Sequence, residues 1–349
     1  MIAPERQRVR ARFDDERIDM SHGAGGKASR RLVEGLIAPA FANPILATLS
    51  DAAMLPFAGT RVALTADGYV VHPLEFPGGS IGELAVNGTV NDLAVSGARA
   101  RALMATFVLE AGLPVATLRR EVAAMAAAAE RAGVAIVGGD TKVVEHGSCD
   151  GMYVTTFGFG EADARARLDP RSVRDGDRVL LSGRIGDHGI TILLARGELE
   201  FETALRSDTR AVWPFVDALL EACGASVRWM RDPTRGGVAT ALNELARESG
   251  LAIVLDESAV PLAAQVRGAC ELLGLDPLHI ANEGQFLAIV APEDAERGLA
   301  AVRAMPGGEE AACIGYVRAT PARTVLGMTA YGGTRSIDML VGDPLPRIC

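Results

Sequence analysis

The sequence predicts a two-domain protein that mixes helices and strands, and three observations lead to this prediction. The chain has 349 residues, which is more than one hydrophobic core usually organises. Apolar residues make up 49% of the chain and aromatic residues only 5%, so small aliphatic side chains must fill the core. Segments with strand and helix patterns occur in both halves, and a polar stretch with proline and glycine, residues 168–176, separates the halves.

Apolar runs, and the glycines and prolines that bound them, place the individual elements along the chain. The predicted strands are residues 61–66, 102–109, 134–137, 152–160, 178–182, 226–230, 253–255, 286–291 and 312–318. The predicted helices are residues 30–37, 81–97, 114–132, 238–249, 263–273 and 293–305.

These elements divide the chain into three predicted parts, which are one domain over residues 1–167, a second over 168–335 and a flexible tail over 336–349. Two prolines near the end favour an extended arm over a helix. Fully extended, the arm could reach roughly 45–50 Å. It ends in Cys349, whose thiol could then visit a pocket on its own chain and a partner. The alternative is a frayed end with an incidental cysteine.

Composition excludes several classes of function. The formal net charge of −9 and a pI near 5.2 argue against non-specific nucleic-acid binding. Five scattered cysteines without a CxxC pair argue against a disulfide framework or a zinc ribbon and suit a reducing compartment. Residues 1–20 are charged throughout, and no uncharged apolar run approaches the roughly 20 residues of a membrane span. We therefore expect a cytoplasmic protein without a membrane segment.

A glycine-rich segment, residues 21–29 (SHGAGGKAS), looks at first like a phosphate-binding loop. A P-loop would need glycine where Ser21 stands, and a dinucleotide fingerprint would need a third glycine where Ala28 stands. What remains is an amide-rich loop around Gly25 and Gly26, which can fold over phosphates. A flexible linker is the alternative interpretation.

Four acidic residues recur at the ends of predicted elements or on a helix face. They are Asp67, Asp92, Asp140 and Asp232, and glycines flank three of them. Carboxylates beside glycine-rich backbone, without a Walker motif, suggest a nucleotide held by Mg²⁺ through oxygen ligands. A plain turn at Asp67 and an ordinary strand–turn–helix junction at Asp232 are the alternatives.

The predicted helix over residues 81–97 carries polar residues where apolar ones would be expected. Asn87 and Asn91 lie one turn apart on the same face, and asparagine is a poor mid-helix residue. We expect them to serve a ligand or other hydrogen bonding. Ser80, with Glu83 three residues later, predicts a capping box at the start of this helix.

Two further positions carry groups suited to phosphate and proton chemistry. Asp140, Thr141 and Lys142 follow a short predicted strand and two glycines, and they offer a carboxylate, a hydroxyl and a cation. Glu283 precedes a predicted strand in an apolar neighbourhood, where a buried general base would sit, although an exposed loop acid is the alternative. His188 is isolated from other metal ligands in sequence, which predicts a structural or solvated side chain.

Several segments together resemble the hydrogenase maturation factor family HypE. They are TADGYVVHP (65–73), FPGGSIGELAVNGTVNDLAVSGA (76–98), VGGDTKV (137–143), MRDPTRGGVATALNE (230–244), ANEGQ (281–285) and the final PRIC. This family belongs to the superfamily of aminoimidazole ribonucleotide synthetase, selenophosphate synthetase and thiamine monophosphate kinase. The resemblance runs from Ser21 to Cys349, and the final PRIC distinguishes the family within the superfamily.

The resemblance implies an α+β, two-domain fold like that of aminoimidazole ribonucleotide synthetase. The N-terminal, ATP-binding domains of a homodimer would form a joint β-barrel, with ATP near the interface. The C-terminal domain would be an α/β sandwich, followed by an extended tail.

The resemblance also implies an activity. A carbamoyltransferase partner, HypF, would place a carbamoyl group on Cys349, and this chain would use ATP and Mg²⁺ to dehydrate the S-carboxamide to a thiocyanate. The cyanide would pass to the iron of a [NiFe] hydrogenase precursor on a HypC–HypD scaffold complex. ATP is needed because an amide oxygen is a poor leaving group until it is phosphorylated. A base is needed because the nitrogen must lose its protons.

Site residues follow from the same resemblance. Asp67, Asp92 and Asp232 match the acidic positions for Mg·ATP, and Asp51 resembles another, so these four are the expected metal ligands. Lys142 and Glu283 match positions expected to contact phosphate and to remove protons, and Cys349 is the acceptor. The resemblance places Asn91 and Thr141 behind these direct contacts. The residues themselves add Gly25, Gly26 and Asp140 as expected cofactor contacts.

Two other interpretations stay open. The chain could be another ATP-dependent small-molecule kinase or synthetase of the superfamily, although selenophosphate synthetase would want a cysteine or selenocysteine in the glycine loop and no cysteine precedes Cys149. It could instead be a non-catalytic carrier that uses Cys349 as a docking or redox thiol.

Overall fold

A computed structural model describes residues 13–349 except residues 24, 42, 198–203, 330 and 343–344. In these residues most strands fall into two sheets, one of five strands within residues 53–162 and one of seven strands within residues 178–337. The predicted boundary segment, residues 168–176, lies between the two sheets along the chain. None of the described helices combines the length and the hydropathy that spanning a bilayer requires.

The strands are β1 (Ala53–Phe57), β2 (Thr60–Tyr69), β3 (Glu75–Phe76), β4 (Gly79–Ser80), β5 (Ala98–Glu110), β6 (Ala135–Val144), β7 (Met152–Ala162), β8 (Arg178–Leu181), β9 (Val227–Arg231), β10 (Ala252–Asp256), β11 (Leu287–Val290), β12 (Ala312–Arg318), β13 (Thr324–Met328) and β14 (Thr334–Ile337). The helices are α1 (Lys27–Leu32), α2 (Ala38–Ala40), α3 (Ile81–Val95), α4 (Val115–Ala132), α5 (Asp187–Ala195), α6 (Trp213–Cys223), α7 (Gly237–Ser249), α8 (Ala264–Leu273) and α9 (Ala295–Arg303). A π-helical turn, Val33–Ile37, joins α1 to α2.

The five-stranded sheet has the order β1-β2-β7-β5-β6, and only the β5–β6 pair is parallel. Burial alternates along β7, where Met152, Val154 and Thr156 point to the same covered side. Helix α3 packs on that side against β2, β5 and β7, and α4 packs against α3. This arrangement explains why α3 is buried on almost every face.

The opposite face of this sheet is open and partly apolar. Leu64, Met104, Phe157 and Phe159 point to it and are 43%, 48%, 49% and 40% exposed. Strand β6 lies at the edge of the sheet, and nine of its ten residues are exposed. An open apolar face beside a free strand edge is typical of a surface that another chain covers.

The seven-stranded sheet has the order β14-β13-β10-β12-β8-β11-β9, and only the β10–β13 pair is parallel. Helix α7 packs on one face of it, and α6 and α9 pack on the other. Helix α5 joins the core of the first half, where Ile190 and Ile192 cluster with Tyr69 and Ile81. The two halves are therefore packed together through α5.

Several strands are longer than predicted, and in two of them the extension moves site residues from strand ends into strands. β2 continues through Asp67 to Tyr69 because these residues keep pairing with β7. β6 continues to Val144 by pairing with β5, so Asp140, Thr141 and Lys142 also lie within a strand. The other predicted elements are found with shifted ends. The elements that were not predicted are β1, β3, β4, β13, β14, α2, α5 and α6.

Helix α3 begins after Ser80, but the predicted capping box is wrong. Ser80 makes no side-chain cap, and its buried hydroxyl has no hydrogen-bond partner among the described residues. Glu83 instead pairs with Arg131. The buried Glu121 of α4 accepts a hydrogen bond from the Gly82 amide at 3.1 Å. A carboxylate from a distant helix thus supplies the negative charge that a helix N-terminus favours.

Candidate active site

Three carboxylates from both halves of the chain meet in one cluster. Asp51 lies just before β1, Asp92 in the last turn of α3 and Asp232 just after β9. One oxygen of each lies within 4.8 Å of the others. Thr65 supports the cluster, because its Oγ1 lies 2.7 Å from Asp92 Oδ2 and 2.9 Å from the Asp51 carbonyl oxygen. Oxygen donors at this spacing suit one hard divalent cation such as Mg²⁺.

The cluster carries more negative charge than its surroundings neutralise. Burial raises the pKa of Asp232 to about 8, and the charge of Asp51 adds to this effect. Burial also raises the pKa of Asp51 to about 6, and burial with the charge of Asp67 raises the pKa of Asp92. Arg231 offsets part of the charge, since its Nε lies 2.9 Å from Asp51 Oδ1. A bound cation would relieve the repulsion that remains.

Asp67 lies beside this cluster and not within it. Its Oδ2 accepts a hydrogen bond from the Tyr69 hydroxyl at 3.2 Å. Burial, followed by the charge of Asp67, raises the pKa of Tyr69, so the hydroxyl keeps its proton and stays a donor. Of the four expected metal ligands, the structure brings three together and places Asp67 at their border.

Glu283 is buried near the same carboxylates, with 3% of its surface exposed. Its backbone amide donates to Asp208 Oδ1 at 3.1 Å, which fixes the loop before β11. Burial, followed by the charge of Asp232, raises the pKa of Glu283 well above its usual value. Its Oε1 has no hydrogen-bond partner among the described residues. Glu283 is thus a buried acid, not the exposed loop acid of the alternative interpretation.

Asn91 and Asn87 make contacts with the protein that the sequence did not reveal. Asn91 Nδ2 donates to the carbonyl oxygens of Arg210 at 2.9 Å and Glu283 at 3.1 Å, and its Oδ1 accepts from the Val212 amide at 2.8 Å. Asn87 Nδ2 donates to Thr209 Oγ1 at 3.2 Å. Both donors of Asn91 are therefore used to join α3 to the second half, and its contact with a nucleotide stays a prediction.

Asp140, Thr141 and Lys142 do not join the cluster within one chain. Lys142 Nζ lies 2.6 Å from Asp140 Oδ2, and Asp140 Oδ1 accepts from the Thr141 amide at 2.8 Å. Strand β6 is separated from β2 by β5 and β7, a distance of about 14 Å across the sheet. Asp140 pairs in register with Thr106, so it and Lys142 point to the open face, opposite to Asp67.

The glycine loop packs against the beginning of the predicted tail. Gly25 has φ +76°, which favours glycine, and a Cβ on Gly26 would come 2.4 Å from the Leu340 carbonyl oxygen. The Lys27 amide donates to that same oxygen at 2.9 Å. In this structure the loop therefore binds the chain's own backbone. Ala24 of this loop lies outside the described residues.

The end of the chain is docked between the two halves. The Cys349 carbonyl oxygen accepts a hydrogen bond from the Val70 amide at 3.0 Å. The Arg347 carbonyl oxygen accepts one from the Arg196 guanidinium at 2.5 Å. Ile348 is 2% exposed. Residues 336 and 337 of the predicted tail belong to β14, and residues 343 and 344 lie outside the described residues. Cys349 thus lies just beyond the end of β2, the strand that carries Asp67.

Two residues that hold this docked segment gave no usable signal in the sequence. His188 Nε2 lies 2.8 Å from the Ile348 carbonyl oxygen. Arg196 donates to the His72 carbonyl oxygen at 2.8 Å, in addition to its contact with Arg347. Both partners are backbone atoms distant in sequence, so no spacing of residue types marks them.

Both halves of the chain match known family models. Residues 49–162 match the model described as AIR synthase related protein, N-terminal domain, and residues 174–326 match its C-terminal domain. Carbamoyl dehydratase HypE from Rhizobium leguminosarum bv. viciae is 49% identical over 333 residues, which cover 95% of each chain.

Solved structures agree with these matches. A HypE from a crystal structure of a HypE-HypF complex is 41% identical with a TM-score of 0.84, and the match covers 88% of this chain and 99% of that one. HypE crystallised in complex with ATP is 46% identical with a TM-score of 0.80, and the match covers 95% of this chain and 99% of that one. The expected two-domain α+β fold is confirmed. Identity at this level over nearly the whole of both chains shows that the protein belongs to the HypE family of carbamoyl dehydratases.

Proposed function

We propose that this chain is an ATP-dependent carbamoyl dehydratase that converts an S-carboxamide on its own Cys349 into a thiocyanate, which supplies cyanide for [NiFe] hydrogenase maturation. One observation carries the proposal: the Val70 amide binds Cys349, and Val70 follows Asp67 by three residues in the chain. Relatives of 44% to 51% identity are named carbamoyl dehydratase, which supports this activity.

ATP and Mg²⁺ are the proposed cofactors. Asp51, Asp92 and Asp232 would hold the cation, with Asp67 at the border, because their charge is in excess and their oxygens converge. The fit rests on the chemistry of the donors, since buried carboxylates with raised pKa values are the groups that a cation stabilises. Bound Mg²⁺ would neutralise phosphate charge and lower the pKa of neighbouring carboxyl groups. A solved HypE binds ATP, and we extend that ligand to this chain.

The chemistry requires one phosphoryl transfer and the loss of two protons. ATP phosphorylates the carboxamide oxygen, phosphate then leaves, and the C–O bond is replaced by the third bond of the nitrile. The products are the S-cyano group, ADP and phosphate. The carboxamide loses the elements of one water, since its oxygen leaves in the phosphate and its two amide hydrogens leave as protons. Glu283 is the proposed proton acceptor, because it is buried beside the site and its Oε1 is unpaired among the described residues.

A homodimer would complete the site. The open face that carries Leu64, Met104, Phe157 and Phe159 fits a joint β-barrel with a second copy of this chain. Such a barrel would also cover the free edge of β6. Because Lys142 and Asp140 point to this open face, we propose that they contact phosphate only in the dimer. Thr141 lies between them and points to the other face, so its contact with a nucleotide stays a prediction.

The other proposals follow from the family. HypF would donate the carbamoyl group, since a solved HypE is bound to HypF, and a HypC–HypD complex would accept the cyanide. The proposed division of the chain is residues 1–167, residues 168–335 and a tail over 336–349. We also propose that Gly25 and Gly26 contact phosphate once the glycine loop has separated from the tail. A cytoplasmic location stays a prediction from the sequence.

The deciding experiment follows the mass of the peptide that contains Cys349. The protein is incubated with its carbamoyltransferase and carbamoyl phosphate, and then with Mg·ATP. We expect an adduct on Cys349 that loses one water only while ATP is hydrolysed, and Asp92→Asn should keep the adduct but not lose water. An adduct that never loses water would leave a carrier thiol. No adduct with an active partner would point to a small-molecule substrate.

A further inference from the structure

The docked segment, residues 345–349, is held by its buried Leu345 and Ile348 side chains, by the Arg347–Asp150 ion pair and by hydrogen bonds to its backbone. The Val70 amide donates to Cys349 and the His72 amide donates to Arg347, at 3.0 and 3.3 Å. Between these two contacts lies the carbonyl group of Ile348, and His188 Nε2 meets it at 2.8 Å. His188 is 0% exposed. The buried His188 side chain therefore fixes the position of Ile348, the residue that precedes Cys349.

The ring of His188 is oriented by its second nitrogen. A carbonyl oxygen can only accept, so Nε2 carries the proton and Nδ1 of the neutral ring accepts. Ser207 Oγ lies 2.8 Å from Nδ1 and donates its hydroxyl. Ser207 is in turn fixed to the first half, since its amide donates to the Pro77 carbonyl oxygen at 2.8 Å. The ring edge also meets Phe76, with centroids 5.5 Å apart at 85°.

We propose that His188 is a positioning residue for the dehydration of Cys349: its Nε2–H holds the Ile348 carbonyl and so places the thiol-bearing residue at the end of β2. The proposal rests on the proposed function for the step that it serves. The docking contact itself is independent of that function.

His188 can affect the reaction because the docked segment, residues 345–349, must alternate between a docked and an undocked position. Cys349 must leave the groove to receive a carbamoyl group from a separate protein, and it must return for dehydration. When the segment leaves, His188 loses this acceptor while its ring stays packed against Phe76. A buried donor that loses its partner disfavours that state. His188 therefore favours the docked position without touching the reacting atoms.

The first test measures how fast iodoacetamide alkylates Cys349 in the full-length protein, by peptide mass. His188→Phe keeps a ring against Phe76 but lacks the N–H, and we expect alkylation about fivefold or more faster than in the wild type. His188→Gln keeps a donor near the Nε2 position and should react at about the wild-type rate. His279→Phe is the matched control, because His279 Nε2 meets the Asp338 carbonyl, outside the docked segment, at 2.8 Å.

Two results would overturn the docking role. One is an unchanged rate in His188→Phe, and the other is an equal acceleration in His188→Gln. The buried Cys223 and Cys270 report general unfolding in the same digest. If they also react faster in His188→Phe, then Ser207→Ala decides, because it removes the hydroxyl that orients the ring. Faster alkylation of Cys349 alone in that variant supports the role, and an unchanged rate refutes it.

The second test separates positioning from a general defect. In carbamoylated protein at saturating Mg·ATP, His188→Phe should lose water about fivefold or more slowly. The KM for ATP should stay unchanged, and carbamoylation should be as fast as in the wild type or faster because it uses the undocked thiol, whereas a folding defect would impair all three. Dehydration at the wild-type rate would refute the positioning role. If the wild type itself never loses water, the proposed function fails, and the alkylation rates still decide the docking role.

Discussion

Replacing Asp232 by asparagine is predicted to stabilise the protein in the absence of metal, by an amount that grows with pH. Its pKa is raised from 3.8 to about 8, mainly by burial, so the folded protein holds a proton that the unfolded chain releases. A carboxyl group whose pKa is raised by folding favours the folded state most at a pH below its pKa in the unfolded chain. As the pH rises from about 4 towards 8, this contribution to the free energy of unfolding is lost.

The magnitude follows from the difference between the two pKa values. Each pH unit between them lowers the free energy of unfolding by about 1.4 kcal/mol. The carboxyl group therefore costs on the order of 2 kcal/mol at pH 5 and on the order of 4 kcal/mol at pH 7. Asparagine has nearly the same shape without the charge, so Asp232→Asn removes this cost. The charge also raises the pKa of Asp92, so the substitution relieves that residue as well.

The assay is urea unfolding in EDTA at several values between pH 5 and pH 8. The variant should be the more stable protein, with a gap that widens as the pH rises. Asp256→Asn is a control of opposite sign, because hydrogen bonds from Ser258 lower the pKa of Asp256. A gap that stays constant with pH, or a less stable variant, would refute the argument. Mg²⁺ should stabilise the wild type and leave Asp232→Asn unchanged.

Three further predictions concern other parts of the structure. Asn91→Ala should lower the free energy of unfolding by about 2–4 kcal/mol, measured in urea, because three hydrogen bonds between the halves are lost; a loss under about 0.5 kcal/mol would contradict this. Phe157→Glu should give a monomer in sedimentation experiments because it charges the open face, whereas Leu272→Glu, at a residue 75% exposed elsewhere, should not. Glu283→Gln should slow dehydration about 100-fold or more while ATP still binds in calorimetry, and a near-normal rate would exclude Glu283 as the base.

The acidic site could be predicted from the sequence because its residue types are unusual where they occur. Asp92 in an apolar helix and Asp232 before two glycines are conspicuous, and the structure places both beside Asp51. Strand alternation and helix patterns also located most elements. These signals are local, and each is carried by a few neighbouring residues.

The remaining features depend on contacts between distant residues. Asn91 looked like a ligand residue because a polar group in an apolar helix needs a partner, and here the partners are backbone atoms of residues 210, 212 and 283. Asp67 looked like the end of a strand because glycine follows it, but pairing with β7 continues past both. The role of His188 depends on a carbonyl group 160 positions along the chain. Residue types alone do not encode such pairings.

Strand β14 ends at Ile337, twelve residues before Cys349, and this anchor limits where the thiol can travel. Twelve residues span at most roughly 40 Å, so the reacting group stays within one molecular diameter of its site. A group tethered this closely has a local concentration on the order of millimolar at any dilution of the protein. Capture of the thiol by the site would then be a first-order event, and its speed would depend on the length of the tether and not on how much protein is present.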